Sequence, residues 1–249
     1  MKLEFIGTGN ALDTEMSNCS YFVRGSCNLL VDCGFDTTRR LFEHGHVLDN
    51  LDAVYFTHMH GDHTFGFPFL ILALERLGRR SPLPVLGQPG TKDFLLSLLR
   101  MAYPSVLDRL GFELKFIETT DACSIGGMEL SFAKTVHSRS NYAVRIVSGE
   151  SVIGISGDGA LSEESKKLFS DCQLLIHDAC TLEEPYQTHE SALNVAEYAS
   201  ESCPDLDTLA CVHLLELERA TKKHSFLALA EGRHFSVIVP EPGDSWGAE

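Results

Sequence analysis

The chain has 249 residues, 44% of them apolar, with 35 acidic and 20 basic residues and a formal net charge of −15. That is enough apolar material for a sizeable core, and no low-complexity linker divides the chain, so we expect a single α/β domain over residues 1–249. The acidic balance argues against long nucleic acid as a partner, because its phosphate backbone is held mainly through Lys and Arg. It does not exclude a small anion bound at a metal, which supplies its own positive charge.

Met1-Lys2-Leu3-Glu4-Phe5-Ile6 alternates like a strand and has no signal-peptide core. No apolar run reaches the length of a membrane span, so no membrane partner is expected and the cytoplasm is the default compartment. Predicted strands occupy residues 3–6, 21–23, 29–32, 53–56, 85–86, 114–117, 128–135, 142–147, 152–156, 174–177, 208–212 and 235–239. Predicted helices occupy 67–79, 92–101, 163–169, 191–200 and 216–231. Ser162 is the expected N-cap of the third helix, with Ser165 too short to complete a capping box. Short strands alternating with helices fit either two sheets packed face to face with helices outside or one doubly wound sheet. Gly7-Thr8-Gly9 lacks a full dinucleotide fingerprint and reads as a tight turn near the functional pocket.

The most informative stretch is His58-Met59-His60-Gly61-Asp62-His63, directly after the apolar run that ends at Phe56. If the strand continues, its alternation lets His58 and His60 point the same way. A turn at Gly61 would then aim Asp62 and His63 at a second point, so the segment can serve two metal ions. Further ligands should come from strand ends. His137, Asp158 and His213 each stand just past an apolar run, Asp158 between Gly157 and Gly159, which permit close backbone approach. His44, His46, His224 and His234 lack this placement and read as surface or packing histidines. Phe65, Phe67 and Phe69 follow the hexapeptide and either line a pocket or pack a helix. Eight cysteines with no CxxC pair suggest neither a thiolate zinc site nor a disulfide framework.

In type and order, His58-x-His60-x-Asp62-His63, His137, Asp158 and His213 resemble the metal motifs of the metallo-β-lactamase-fold hydrolases. The resemblance implies an αββα sandwich. It also implies that His58, His60 and His137 hold one metal, that Asp62, His63 and His213 hold another, and that Asp158 bridges them. Leu3 to Asn18, His63-Thr-Phe-Gly-Phe-Pro, Gly87-Gln-Pro-Gly-Thr-Lys-Asp-Phe94, Leu174-Leu-Ile-His-Asp-Ala-Cys180 and His189-Glu-Ser-Ala192 look like the ribonuclease Z group, over nearly the whole chain. Two features depart from that group. Asp178 stands where the group has Glu, and only twenty residues separate His137 from Asp158, where tRNA-processing members carry a long basic arm. The missing arm and the acidic charge disfavour tRNA 3′ processing and favour an armless relative acting on a small (cyclic) nucleotide or similar phosphodiester.

The expected cofactors are two divalent metal ions, zinc first, with manganese or iron fitting the same ligands. The expected reaction is phosphodiester hydrolysis by a hydroxide shared between the metals. Asp62 would aim the hydroxide, His189 would contact the phosphate or protonate the leaving group, and Asp178 would orient His189. Competing readings are a metallo-hydrolase of thioesters, lactones or β-lactams, and a non-catalytic metal-stabilised binding or carrier module. Relatives are often homodimers, so a dimer is a further expectation.

Overall fold

The computed structural model describes residues 1–46 and 48–247. The domain expectation over 1–249 therefore extends to Val47, Ala248 and Glu249, which lie outside the described residues. Two seven-stranded sheets form the centre. The first runs in the order β14 (Ser245–Gly247), β1 (Lys2–Gly7), β2 (Ser20–Arg24), β3 (Asn28–Val31), β4 (Ala53–Tyr55), β5 (Leu83–Gly87), β6 (Leu114–Glu118). The second runs β13 (Ser236–Ile238), β12 (Thr208–Val212), β11 (Leu174–Asp178), β10 (Ser151–Ile155), β9 (Tyr142–Ser148), β8 (Met128–Lys134), β7 (Cys123–Ile125).

Both sheets are mixed, and the connections explain why. β1, β2 and β3 pair antiparallel, as do β7 to β10. β3 to β6 and β10 to β13 pair parallel. A parallel pair needs a long crossover, and helices supply most of these. On the first sheet lie α1 (Thr37–Glu43), α3 (Phe67–Arg76), α4 (Thr91–Ala102) and α5 (Val106–Arg109). The second carries α6 (Glu163–Phe169), α7 (Ala192–Ser202) and α8 (Glu216–Ala228). A single turn, α2 (Gly61–Thr64), sits at the end of β4.

Three apolar layers follow. Leu3, Phe5, Tyr21, Val23, Tyr55 and Leu86 from the first sheet meet Leu130, Val144, Ile146, Ile155, Ile176 and Val212 from the second. The outer face of the first sheet packs on Leu41, Leu70, Leu74, Leu95 and Leu99 of its helices. That of the second packs on Phe169, Val195, Ala196, Ala199 and Phe226. This is the αββα sandwich, and the single doubly wound sheet is ruled out.

Strand directions place the chemistry. β1 and β3 both pair antiparallel with β2, so they run the same way as β4. β8 and β10 are likewise both antiparallel to β9 and run with β11 and β12. Thr8, Asp32 and His58 thus follow carboxyl ends of the first sheet. His137, Asp158 and His213 follow carboxyl ends of the second, and Asp178 closes β11. Carboxyl ends are where open α/β sheets leave room for a ligand.

Several sequence expectations are corrected. β4 ends at Tyr55, so His58 and His60 lie on a loop rather than on alternating strand positions. The chain turns after His60 by entering α2, with His60 as the N-cap. α3 stops at Arg76, short of Arg79, whose amide returns to the Leu74 carbonyl at 3.0 Å and whose guanidinium binds the Leu51 and Pro82 carbonyls. Ser165 does complete the capping box: its hydroxyl accepts from the Ser162 amide at 2.9 Å, while Ser162 Oγ accepts from the Ser165 amide at 3.0 Å. A serine two carbons shorter than Glu suffices because this first turn brings the two residues together.

The loop after β1 is tied to α8. The fully buried Asp13 carboxylate accepts from Arg219 and from the amides of Glu15 and Met16 at 3.0 Å. Burial opposes its charge, but the Arg219 donors and the amides prevail and hold its pKa below the ordinary 3.8. A carboxyl depressed on folding adds stability above its unfolded pKa and loses it as pH falls through the folded value. Asp13→Asn is therefore expected to lower the urea midpoint at pH 7, with the gap to wild type closing below about pH 3.8. A gap of constant size down to acid pH would assign the loss to packing instead.

Candidate metal centre

The hexapeptide leaves β4 under tight control. Thr57 is buried, and both its amide and its hydroxyl donate to Asp32 at 2.8 Å. With its hydroxyl proton given to Asp32, Thr57 Oγ1 can accept from His58 Nδ1 at 3.1 Å, which leaves His58 Nε2 free to face the centre. His58 Nε2 then lies 3.1 Å from His60 Nδ1, and His137 Nε2 lies 3.2 Å from the same His60 atom. Asp158 Oδ2 is 3.8 Å from His58 Nε2. His58, His60, His137 and Asp158 thus offer one set of converging ligand atoms.

A second set shares Asp158. His63 Nε2 is 3.2 Å from Asp158 Oδ1 and 3.5 Å from Asp62 Oδ2. His213 Nε2 is 3.3 Å from Asp158 Oδ2 and 3.9 Å from Asp62 Oδ2. Every residue assigned to the two metals from the sequence falls in these sets, with Asp158 common to both. A third grouping, Asp178, His189 and His213, is different in kind. His213 meets it through Nδ1, 3.6 Å from Asp178 Oδ1, with Nε2 already turned to the second set. Asp178 is a hydrogen-bonding support there, and it also holds His189 Nδ1 at 2.6 Å.

The residues fit divalent cations. His63 Nε2, His213 Nε2 and Asp158 Oδ1 are buried and have no hydrogen-bond partner. Buried polar atoms left unpaired are costly, and here they point at one another. A tetrahedron built on metal–nitrogen bonds of about 2.0–2.1 Å has edges of about 3.3–3.4 Å, close to the spacings between these ligand atoms.

Electrostatics divide the two sets. Burial pushes His58 well below its ordinary pKa, with the charge near His63 adding to it, and lowers His137 to about 4. These imidazoles are neutral, the form that binds metal. At His63 burial again disfavours charge, but Asp158, Asp32 and Asp62 overcome it and raise the pKa well above normal. His213 rises to about 9 for the same reason, against burial, through Asp158 and Asp178. The surrounding carboxylates thus call for positive charge at this set, which a bound cation would supply in place of protons on the two rings. Burial also opposes the charge of Asp62, yet His63 and His213 hold its carboxyl far below the usual range.

A supporting layer was not singled out from the sequence. Asp32 accepts from His63 Nδ1 at 2.8 Å besides its two bonds from Thr57. Thr188 Oγ1 lies 3.2 Å from His137 Nδ1. Asn141 donates to Thr135 and to the Ser156 carbonyl, both at 2.8 Å, and braces the loop that carries Asp158. Gly157 and Gly159 have φ of 62° and 107°, and a Cβ there would come within 2.4 Å of Asn141 Oδ1 and 2.7 Å of Thr135 Oγ1. Asp32 obeys the rule that found Asp158, a carboxylate just past an apolar strand. Gly7-Thr8-Gly9 does border the site: the His213 amide donates to the Thr8 carbonyl at 2.8 Å. Of the three phenylalanines, Phe67 is core, edge-on to Phe56, while Phe65 and Phe69 are half-exposed. His44 and His46 converge on Glu4, at 3.2 and 3.1 Å, away from this centre. All eight cysteines are free.

Comparison with known proteins extends the picture. The family model described as Anti-Pycsar protein Apyc1 matches residues 1–206. The chain is 34% identical over 123 residues to ribonuclease Z of Exiguobacterium sp. AT1b, covering 49% of this chain and 40% of that protein. It is 32% identical over 154 residues to ribonuclease Z of Methanosarcina mazei, covering 60% of this chain and 45% of that one. The matches thus span less than half the length of these curated relatives. Among solved structures, the Bacillus subtilis metallo-β-lactamase fold protein YhfI superposes with a TM-score of 0.80 at 22% identity over 98% of both chains. Human tRNase Z, short form (ELAC1), superposes at 0.79 with 18% identity over 99% of both. The fold is that of the metallo-β-lactamases, as expected from the sequence.

Asp32 touches no converging ligand atom yet fixes the ring of His63. Asp32→Ala is expected to weaken zinc binding at the His63 set by roughly 10–100-fold, as losses of such supports do. Competition with a colorimetric chelator measures this. Two zinc equivalents of unchanged affinity would deny Asp32 the role.

Proposed function

We propose that this chain, which belongs to the Anti-Pycsar protein Apyc1 family, is a dinuclear metal-dependent hydrolase of small phosphodiesters, cyclic nucleotides first among them. One observation carries the reading. Two ligand sets share Asp158, and the His189–Asp178 pair stands against both of them. The His189 ring is 5.1 Å from that of His137 and stacks at 4.9 Å on that of His213.

His58, His60, His137 and Asp158 would hold one cation, and Asp62, His63, Asp158 and His213 the other. Such a pair supplies a readily ionised water and positive charge for the phosphoryl oxygens. The chain's own groups do the rest. Asp62, kept ionised, accepts a hydrogen bond from the attacking water and aims its lone pair at phosphorus. His189 has given Nδ1 to Asp178, so Nε2 faces the substrate. Burial lowers its proton affinity, but the bond and charge of Asp178 outweigh burial and raise the pKa. A proton held on Nε2 first binds a phosphoryl oxygen and then passes to the departing alkoxide as the P–O ester bond breaks.

The ribonuclease Z relatives suggest an RNA substrate by name. Two features support a smaller one. The twenty residues between His137 and Asp158 are taken up by the β9–β10 hairpin, whose strands pair in register from Ser148–Ser151 to Val144–Ile155. A net charge of −15 also repels a polyanion.

Zinc-loaded protein is expected to hydrolyse bis(p-nitrophenyl) phosphate and 2′,3′- or 3′,5′-cyclic nucleotides, and to spare thioesters, lactones and β-lactams. Turnover of esters without phosphodiesters would overturn the reading. His189→Ala with its metals retained should lose about 10²–10⁴-fold in kcat, and unchanged turnover would remove His189 from the mechanism.

A further inference from the structure

The motif Gly87 to Phe94 and the loop after His137 have so far no task in this chemistry. They meet. β5 ends at Gly87, and Gln88 reaches across to donate from Nε2 to the Ser140 carbonyl at 2.6 Å. The turn is built firmly: Thr91 Oγ1 donates to the Gln88 carbonyl at 2.7 Å, and Glu118 accepts from the amides of Gly90 and Lys92 at 2.8 and 3.0 Å. It launches α4, which carries the half-buried Phe94. The loop pinned by Gln88 holds Arg139, whose guanidinium carbon lies 5.5 Å above the centre of the Phe94 ring.

Arg139 is unusual in its company. In a chain with 35 acidic residues it makes no ion pair and no hydrogen bond among the described residues, and the Phe94 ring is its partner. It is exposed, two residues past His137. Its charge also reaches the metal loop: His60, whose pKa is lowered first by burial, is lowered further by Arg139. A guanidinium over an aromatic ring is a planar, weakly hydrated cation on which a second ring can stack.

We propose that Arg139 on Phe94 is the nucleobase subsite of this enzyme, where the base of a cyclic nucleotide stacks on the guanidinium and its acceptor edge meets the N–H fork. The proposal rests on the phosphodiesterase reading above. The phosphate is met at the metal centre, so a planar donor set beside it serves the rest of the substrate. In a nucleotide that part is the base, whose face stacks on planar side chains in comparable sites. The Gly87–Phe94 motif then has a function: it builds the shelf and pins the loop that bears Arg139.

The test compares a substrate that has a base with one that lacks it. In zinc-loaded wild type, Arg139→Ala and Arg139→Lys, kcat/KM is measured for a 2′,3′-cyclic nucleotide and for bis(p-nitrophenyl) phosphate, alongside zinc content. Arg139→Ala is expected to lower the ratio of the two by roughly tenfold or more, through KM rather than kcat. Arg139→Lys, which keeps charge and loses the planar fork, should lose most of the same ratio. An equal fall for both substrates, or full rescue by lysine, would overturn the base assignment and leave Arg139 as a bare charge. If wild type hydrolyses neither phosphodiester, the functional reading itself fails, which is a different outcome from an unchanged ratio.

Discussion

Asp158 is the constraint around which this molecule is arranged. Only 2% exposed, it faces the imidazoles of His58, His63 and His213 within 3.8 Å, and one of its oxygens has no hydrogen donor. An ionised carboxylate buried in this way needs neighbouring positive charge. The two sheets meet that need jointly: His58 and His63 come from the first, His213 from the second, and Asp158 itself follows β10 of the second. The sandwich is thus closed at this end by electrostatics as well as by the apolar layer between the sheets.

Holding that arrangement requires unfavourable backbone. Ser17, Asp32, Gln187 and His213 are the non-glycine residues with positive φ among the described residues, at 56°, 59°, 56° and 60°. All lie in loops that border the centre. Such conformations cost of order 1–3 kcal/mol each and persist where surrounding bonds over-determine them. Asp32 is fixed by Thr57 and His63, and its own amide donates to the Tyr55 carbonyl at 2.8 Å. His213 is fixed by the Thr8 carbonyl. Gln187 precedes Thr188 and His189, which approach His137 and Asp178. Strain is concentrated where a ring or carboxylate must be aimed, which is what preorganisation of a reacting site looks like in a chain's backbone.

Much of this was legible in the residues. Periodicity located most strands to within a residue or two, because each buries an apolar run between two layers. Residues 208–212 and 163–169 coincide with β12 and α6. It missed β7, β14, α1, α2 and α5, and for physical reasons: α2 and α5 are four-residue turns, too short to show a helical period. β7 and β14 are three-residue edge strands, too short to show alternation, and α1 buries only Thr37, Thr38 and Leu41. Sequence pattern left one sheet or two undecided, since burial on both faces looks alike in either. The ligand residues stood out because metal-binding side chains are rare at the end of an apolar strand. Their supports did not: Thr57, Thr188 and Asn141 are common polar residues whose meaning is a contact across the fold. Asp32 could have been found, because like Asp158 it is a carboxylate just past an apolar strand, one residue after β3 where Asp158 is three after β10.

The supports also bear on how substrate and centre are linked. The loop from β11 to α7 carries both Thr188, against His137, and His189, against Asp178, while Asp178 reaches His213 on its other side. Each ligand set is therefore braced by this loop or by the carboxylate that anchors it. On the opposite rim, the β8–β9 loop carries Arg139, and Asn141 at its end holds the strand end that presents Asp158. A substrate seated between these rims would touch loops that also position the ligands. Selection of the substrate and geometry of the centre would then be coupled through short, direct contacts, with no moving part required. The brevity of the β9–β10 hairpin belongs to the same logic: on the proposed reading, with both rims braced from within, a small substrate would be selected by these loops and would need no distant grip.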